Sequence, residues 1–102
     1  MTAEKLWATL GHYRTTLESL GHPPARMSSE ECASTLVSTT VLFGHCCWMA
    51  DYCLGPIRAE YDAGRSEAVG KAMRWLGYIQ GVLNARGLYS CADLRDHSRG
   101  DV

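Results

Sequence analysis

A histidine, three cysteines and an aspartate lie within the stretch FGHCCWMADYC, residues 43–53. These side chains bind zinc or carry redox chemistry when their spacing allows it. A helix presents two ligands to one metal at i,i+3 or i,i+4, and only Cys47 with Asp51 has that spacing here. Two ligands of mixed hardness do not make a zinc site, and the stretch lacks the C-x-x-C redox motif.

The same cysteines fit an apolar helical pattern. Cys47 has Phe43 four residues before it and Ala50 three residues after it. Free cysteine packs as a small hydrophobe and is among the most buried residue types. We therefore expect Cys46, Cys47 and Cys53 to lie in a core and to bind no metal or cofactor. A thiol with a regulatory role is the alternative.

A second candidate site consists of basic residues around the third apolar segment, with one tyrosine: Arg58, Arg65, Lys71, Arg74 and Tyr78. The simpler interpretation is a solvated surface with the i,i+4 ion pairs Glu67–Lys71 and Arg58–Asp62. The alternative is a small anion-binding groove, in which arginine binds phosphate and Tyr78 stacks on a base.

Three glycines, Gly70, Gly77 and Gly81, interrupt a sequence that is otherwise typical of a helix. Each costs about 1 kcal/mol relative to alanine, so their presence needs a reason. One reason is close packing against the preceding long helix at Gly44. The other is a subunit interface.

Apolar residues on more than one flank of the helices favour the interface. Val37 and Val41 lie beside the main stripe of the second helix, and Tyr78 lies off the main stripe of the third. A small three-helix chain cannot cover both flanks of each helix. We therefore predict a homo-oligomer whose interface includes Trp48, Gly70, Trp75, Gly77, Gly81 and Val82.

The elements that must position these residues are helices. Apolar residues recur at helical spacing near 3–20, 29–54 and 66–86, and no segment alternates as a strand would. The residues predicted to face inward are Leu6, Leu10, Tyr13, Leu17 and Leu20 in the first helix; Leu36, Thr40, Phe43, Cys47, Ala50 and Leu54 in the second; and Val69, Met73, Leu76, Ile79 (or Gln80) and Leu83 in the third. The fold class is therefore all-α, an antiparallel bundle of three main helices with short helical pieces.

Local signals mark the ends of these helices. Thr2 is a predicted N-cap, and Ser28 and Ser90 begin S-x-x-E and S-x-x-D capping boxes. Gly87 is a predicted C-terminal glycine cap, and Gly55-Pro56 is expected to kink or restart the helix. Residues 98–102 are expected to fray.

Composition excludes several classes of protein. A chain of 102 residues with 46% hydrophobic and 21% charged residues predicts one globular domain, residues 1–102. Ten basic residues against eleven acidic ones give no reason for non-specific DNA binding or membrane binding. The first residues carry no signal-peptide pattern, and no apolar run is long enough to span a membrane, so we expect a cytoplasmic protein. No catalytic motif is present, and we predict a protein that is not an enzyme.

The stretch RSEAVGKAMRWLGYIQGVLNARGLYSCADLRDHSR resembles the small helical accessory proteins of tailed bacteriophages. The resemblance covers residues 57–99 and consists of a helix with R-W-L-G-[FY]-I-Q-G, then G-L, then a capped turn. It implies a protein made in the host bacterial cytoplasm that acts by binding. It transfers no functional residue.

Two functions follow as expectations. The first is a protein-binding inhibitor of a host or defence factor, of the anti-CRISPR or host-takeover type. The second is an oligomeric sponge that sequesters a nucleotide signal through the basic groove at Arg65, Lys71, Arg74 and Tyr78. Small phage proteins that bind cyclic nucleotides are similar in size and in a G-R-x-E helix start. A structural role in the virion is a lesser alternative.

Overall fold

A computed structural model describes residues 1–99, and every regular element in that range is helical. The elements are α1 (Ala3–Ser19), α2 (Ser29–Ala33), α3 (Thr39–Tyr52), a π-helical turn (Cys53–Ile57), α4 (Arg58–Asp62), α5 (Ala68–Ala85) and α6 (Cys91–Ser98). Helices α1, α3 and α5 pack against one another, and α6 packs on α1 and α5. The predicted all-α fold is confirmed.

The core-facing side of α1 follows the predicted period. Leu6, Leu10, Tyr13 and Leu17 are fully buried. Leu20 was expected to join them but is exposed, because it is the C-cap residue and lies beyond the last buried turn.

The second predicted helix, 29–54, is wrong as a single element. It divides into α2 and α3, because residues 34–38 leave the helical conformation. Side chains compete for the backbone there: the Ser34 hydroxyl accepts from the Leu36 N–H, and Ser38 caps α3 by accepting from the Val41 N–H. Leu36 is consequently 92% exposed, and Thr40 is exposed as well, although both were expected to face inward.

Gly55-Pro56 neither ends nor restarts the helix. Pro56 lies in the π-helical turn, where the Arg58 N–H donates to the Cys53 carbonyl five residues earlier. A π-turn changes the hydrogen-bond spacing locally, so the helix passes the residue that has no N–H and continues into α4. Cys53 and Ile57 are both buried in this turn.

Helix α5 buries a slightly different stripe from the predicted one. Three predicted residues are buried: Leu76, Ile79 and Leu83. Met73 is 38% exposed, and Ala72 is buried instead. The small alanine side chain allows α5 to lie close to its neighbours, so a larger inward residue is not required at this turn.

The predicted caps at Thr2, Ser28, Ser90 and Gly87 are confirmed. The Thr2 hydroxyl accepts from the Lys5 N–H, and both capping boxes form, at Ser28 and Ser90. At Gly87 the backbone takes a φ of 82°, and the next N–H donates to the Leu83 carbonyl at 2.8 Å. That bond satisfies one of the carbonyls that the end of α5 leaves free.

Residue Ser98 is the last residue of α6, and residues 100–102 of the segment that was expected to fray lie outside the described range. Within residues 1–99, no helix combines the length and apolar character that crossing a membrane requires.

Candidate functional site

Four aromatic side chains form a partly exposed surface between α3 and α5. Trp48 and Tyr52 come from α3, and Trp75 and Tyr78 come from α5; we call these four residues the aromatic face. The Trp75 ring lies 5.9 Å from Trp48 and 5.6 Å from Tyr52, and Trp48 lies 5.5 Å from Tyr52. Tyr78 is 46% exposed.

Helical spacing explains why each helix presents two rings on one side. Trp48 and Tyr52 are four residues apart, and Trp75 and Tyr78 are three apart, so each pair lies on one side of its helix. Val82 continues the same flank of α5 one turn later and is partly buried against the core. Because both helices are packed on α1, the rings are held on rigid elements.

Two cations lie on these rings. The Lys71 Nζ is 5.1 Å from the centroid of Trp75 and 5.8 Å from that of Tyr52. The Arg26 guanidinium is 4.8 Å from the centroid of Trp48. Each contact is a cation–π interaction, worth about 0.5–1 kcal/mol at an exposed position.

The loop between α1 and α2 positions Arg26 through its two neighbours. The Ala25 N–H donates to the Gly44 carbonyl at 3.0 Å, and the Met27 N–H donates to His45 Nδ1 at 3.0 Å. A Cβ at Gly44 would lie 3.2 Å from the Ala25 Cβ, so glycine allows the loop to cross α3 closely. Gly44 therefore packs against this loop, and the prediction that it packs against the glycines of α5 is wrong.

His45 is held in its neutral form by this arrangement. Its Nδ1 accepts a hydrogen bond, so it carries no proton, and its ring stacks on Trp48 at 5.5 Å. Burial lowers the pKa of His45, and the charge of Arg26 lowers it further, whereas Glu31 opposes the shift. The imidazole therefore serves as an acceptor for the loop near neutral pH.

A shallow cleft of about 360 Å³ opens on the aromatic face. Its apolar lining comes from Trp48, Trp75, Tyr78 and the buried Met49, and Arg26, His45 and Cys32 complete it. Burial raises the pKa of Tyr78, so its hydroxyl stays protonated. The cleft offers ring faces for stacking and a guanidinium for an anion.

The five predicted ligand-binding residues are divided between different places. Lys71 and Tyr78 reach the aromatic face, and Arg74 is exposed on α5 beside Gly70. Arg58 lies 5.8 Å from the ring of Trp7, and Arg65 forms an ion pair with Glu60. Neither Glu67–Lys71 nor Arg58–Asp62 is within ion-pair distance among the described residues.

The glycines of α5 do not pack closely within the chain. A Cβ placed at Gly77 or Gly81 would meet no atom within 4 Å, and one at Gly70 would meet only the Arg74 guanidinium. The prediction that they allow close approach of the second helix is therefore wrong. They lie on the side of α5 away from the buried residues, and the predicted subunit interface stays a prediction.

The cysteines of the 43–53 stretch lie in the core, as predicted. Cys46, Cys47 and Cys53 have no exposed surface. Burial raises the pKa of Cys46 and of Cys53 to about 12 and that of Cys47 to about 11. All three thiols stay protonated at neutral pH and are poor nucleophiles. Residues 1–99 contain no cluster of three or more metal-ligating side chains.

A second aromatic cluster joins α6 to the rest of the fold. The Tyr13 hydroxyl lies 2.8 Å from His97 Nδ1 and accepts from Gln80 Nε2 at 3.0 Å. The Tyr89 ring packs edge-on against His97 at 4.7 Å. We call Tyr13, Gln80, Tyr89 and His97 the C-terminal clamp.

The hydrogen bonds of the clamp assign its protons. Because Gln80 donates to the Tyr13 oxygen, the tyrosine proton is free to point at His97 Nδ1, which must then be unprotonated. Burial lowers the pKa of His97 and the nearby His12 adds to the effect, while Asp93 and Asp96 oppose it. Burial also favours the neutral form of Tyr13, which is completely enclosed, and so raises its pKa.

Sequence reasoning missed Arg26, His45 and Tyr52 at the aromatic face. Tyr52 could have been found from its i,i+4 spacing to Trp48, but the other two depend on the path of a loop. No protein-family model matches the chain, and no curated protein or solved structure shows significant similarity to it.

Proposed function

We propose that this chain is a non-enzymatic binding protein that docks a partner protein on the aromatic face. One observation carries the proposal: three mutually packed rings and the exposed Tyr78 are displayed together on two packed helices. A solvated surface does not need four aromatic residues side by side, and patches of this kind mark interaction sites.

The residue types support a protein as the partner. Tryptophan, tyrosine and arginine are enriched among the residues that dominate binding energy at protein interfaces. Trp48, Trp75, Tyr78 and Arg26 supply all three types in one patch. Their rings lose little conformational freedom on binding because α3 and α5 already hold them.

The resemblance of residues 57–99 to phage accessory proteins supplies a setting for this activity. In that setting the docking event inhibits a host or defence protein by occupying a surface that it needs. Helix α5, which lies within the region of the resemblance, contributes Trp75 and Tyr78 to the aromatic face.

The nucleotide sponge is a weaker second proposal. The Trp48–His45 stack and the cleft beside it are suited to a planar ring. However, Arg65 is paired with Glu60 and does not line the cleft. The basic groove that this function requires therefore lacks one of its predicted cations.

A capture experiment with two matched variants tests the proposal. Tyr78→Ala removes an exposed ring of the aromatic face, whereas Met73→Ala removes a side chain of comparable exposure on another side of α5. We expect a protein captured from phage-infected bacterial lysate by the tagged chain to be lost with Tyr78→Ala and retained with Met73→Ala. Equal capture by both variants, with circular dichroism unchanged, would contradict docking on this face.

A further inference from the structure

The chemistry of the aromatic face indicates what kind of protein segment it receives. We propose that the partner segment is acidic, with an apolar or aromatic side chain that enters the cleft and carboxylates that pair with Arg26 and Lys71. This inference rests on the proposed function and adds the class of partner.

Among residues 1–99, three of the ten basic residues have a carboxylate within ion-pair distance, and the two cations of the aromatic face are not among them. Arg14 pairs with Asp51 at 3.0 Å, and Arg65 and Arg99 have carboxylates within ion-pair distance. Arg26 and Lys71 have none among residues 1–99 and lie on aromatic rings instead. The face therefore carries two cations without an ion-pair partner among the described residues, although the whole chain has a formal net charge of −1.

The Glu31 carboxylate, whose charge acts on His45, is already hydrogen-bonded within the chain. Glu31 accepts a hydrogen bond from the Ser28 N–H at 2.9 Å in the capping box of α2. This bond holds Glu31 at the start of that helix, and Arg26 has no carboxylate within ion-pair distance among residues 1–99, so its guanidinium is open to a carboxylate from outside. A bidentate arginine–carboxylate pair beside an apolar surface is stronger than one in open water.

The cleft accounts for the apolar side chain of the proposed partner segment. Its lining is mostly apolar, from Trp48, Trp75 and Met49, and its volume of about 360 Å³ accommodates an inserted side chain. Arg26 lies on Trp48, and Lys71 lies on Trp75 and Tyr52. Arg26 lines the cleft and Lys71 lies on one of its wall residues, Trp75, so an apolar side chain in the cleft with acidic residues beside it would match this arrangement.

Nucleic acid fits the surface less well. Binding along a phosphate backbone uses many cations in a continuous row. Here Arg58 and Arg65 lie elsewhere, at Trp7 and Glu60. The Arg86 guanidinium, whose charge acts on Tyr78, is bonded to the Val37 carbonyl and the Thr39 hydroxyl. The two cations on the rings suit two carboxylates and do not form the continuous row that an extended strand uses.

Two short synthetic peptides test the acidic class. The probe has Leu-Phe at its centre and alternating Asp and Glu on both sides, and the control peptide has Asn and Gln in place of every acid. We expect the acidic peptide to bind about tenfold more tightly at low salt and to lose that advantage as salt is raised. Tryptophan fluorescence and NMR shifts of the Trp48 and Trp75 indoles report binding at the face.

Charge-reversal variants locate the effect. Lys71→Glu and Arg26→Glu should each weaken acidic-peptide binding by about tenfold or more. Arg58→Glu makes the same change in net charge at Trp7, outside the aromatic face, and should change binding by less than about twofold. Equal weakening by all three variants would show a general charge effect and overturn the inference.

The remaining outcomes separate the inference from the proposed function. Equal binding of both peptides at the face would overturn the acidic class and leave docking intact. No binding of either peptide, or tighter binding of adenosine monophosphate or a single-stranded oligonucleotide at the same indoles, would also overturn it. The proposed function fails independently, if the captured protein is insensitive to Tyr78→Ala.

Discussion

The C-terminal clamp and the aromatic face lie on opposite flanks of α5, and each combines tyrosine with a second ring and a histidine in contact: His97 within the clamp and His45 stacked on Trp48 of the face. In the clamp the Tyr13 hydroxyl is enclosed and has two hydrogen-bond partners. On the aromatic face Tyr78 is 46% exposed and lies in an open cleft. The clamp therefore stabilises the fold, whereas the face has the free ring surface that binding requires.

The two histidines also differ in what they hold in place. His97 accepts from a tyrosine and holds α6 on α1, and His45 accepts from the Met27 N–H and holds the loop that carries Arg26. Both are neutral acceptors, but His97 binds a core tyrosine, whereas His45 positions a cation on a surface. Similar chemistry thus supports stability in one region and the arrangement of a binding surface in the other.

The largest expected effect on stability comes from replacing the buried tyrosine of the clamp, and the exposed tyrosine of the aromatic face is its comparison. Tyr13→Ala should lower the free energy of unfolding by about 3–5 kcal/mol, because it removes a fully buried ring. Tyr78→Ala should lower it by less than about 1 kcal/mol, since much of that ring is already in water. Urea unfolding followed by circular dichroism measures both, and equal losses would contradict the assignment of the two clusters.

A smaller loss of stability is expected when only the hydrogen bonds of the clamp are removed. Tyr13→Phe keeps the ring but leaves Gln80 and His97 without their shared partner, so the loss should be about 1–2 kcal/mol. Tyr52→Phe is the matched control, because the Tyr52 hydroxyl makes no hydrogen bond to the described residues, and it should be nearly neutral. A neutral Tyr13→Phe would show that packing alone holds the clamp.

A third variant tests whether the glycine side of α5 is covered. Gly77→Ala should stabilise a monomer by about 0.5–1 kcal/mol, because alanine favours the helix and its Cβ meets no atom within 4 Å. If the predicted homo-oligomer uses this side, Gly77→Leu should weaken it by overpacking. Light scattering distinguishes a monomer from an oligomer. A wild-type mass of 11.2 kDa at micromolar concentration would contradict the predicted subunit interface.

The smallest expected effect is the pH dependence of both regions. The folded state lowers the pKa of His45 and of His97 below 6.5, so the unfolded chain binds more protons as pH falls. Their contribution to stability is therefore complete above about pH 6.5 and is lost as pH falls through the lower folded pKa values. Urea unfolding between about pH 7.5 and 5.5 measures this slope.

Asparagine variants assign that slope to each region, because the Asn oxygen can replace Nδ1 as an acceptor without titrating. His97→Asn should remove the part due to the clamp, and His45→Asn the part due to the aromatic face. An unchanged slope in the double variant would show that other groups cause it.

The local chemistry of the chain was readable from the sequence. The period of Leu6, Leu10, Tyr13 and Leu17 predicted the buried side of α1, and the serine at 28 and the serine at 90 predicted two helix starts. These features depend on residues three or four positions apart, so the helix alone decides whether they meet. The same spacing brought Trp75 and Tyr78 together, and half of the aromatic face was predictable for that reason.

The break in the second helix was only partly readable. Ser34 and Ser38 were visible as residues that can bond to nearby backbone, but the apolar period across them favoured a continuous helix. The Arg86 guanidinium, from the far end of α5, donates to the Val37 carbonyl and to the Thr39 hydroxyl and thereby secures the non-helical path. A contact between residues 49 positions apart could not be read from local pattern.

Sequence alone thus determined the all-α fold, the helix caps at Thr2, Ser28, Ser90 and Gly87, and the burial of the cysteines, because each follows from side chains within one or two turns. The tertiary structure alone decided that Arg26 lies on Trp48, that His97 binds Tyr13 across 84 positions, and that the glycines of α5 face open space. The physical reason is that chain entropy opposes such distant contacts, and only the packing of α1, α3 and α5 as a unit compensates for that cost.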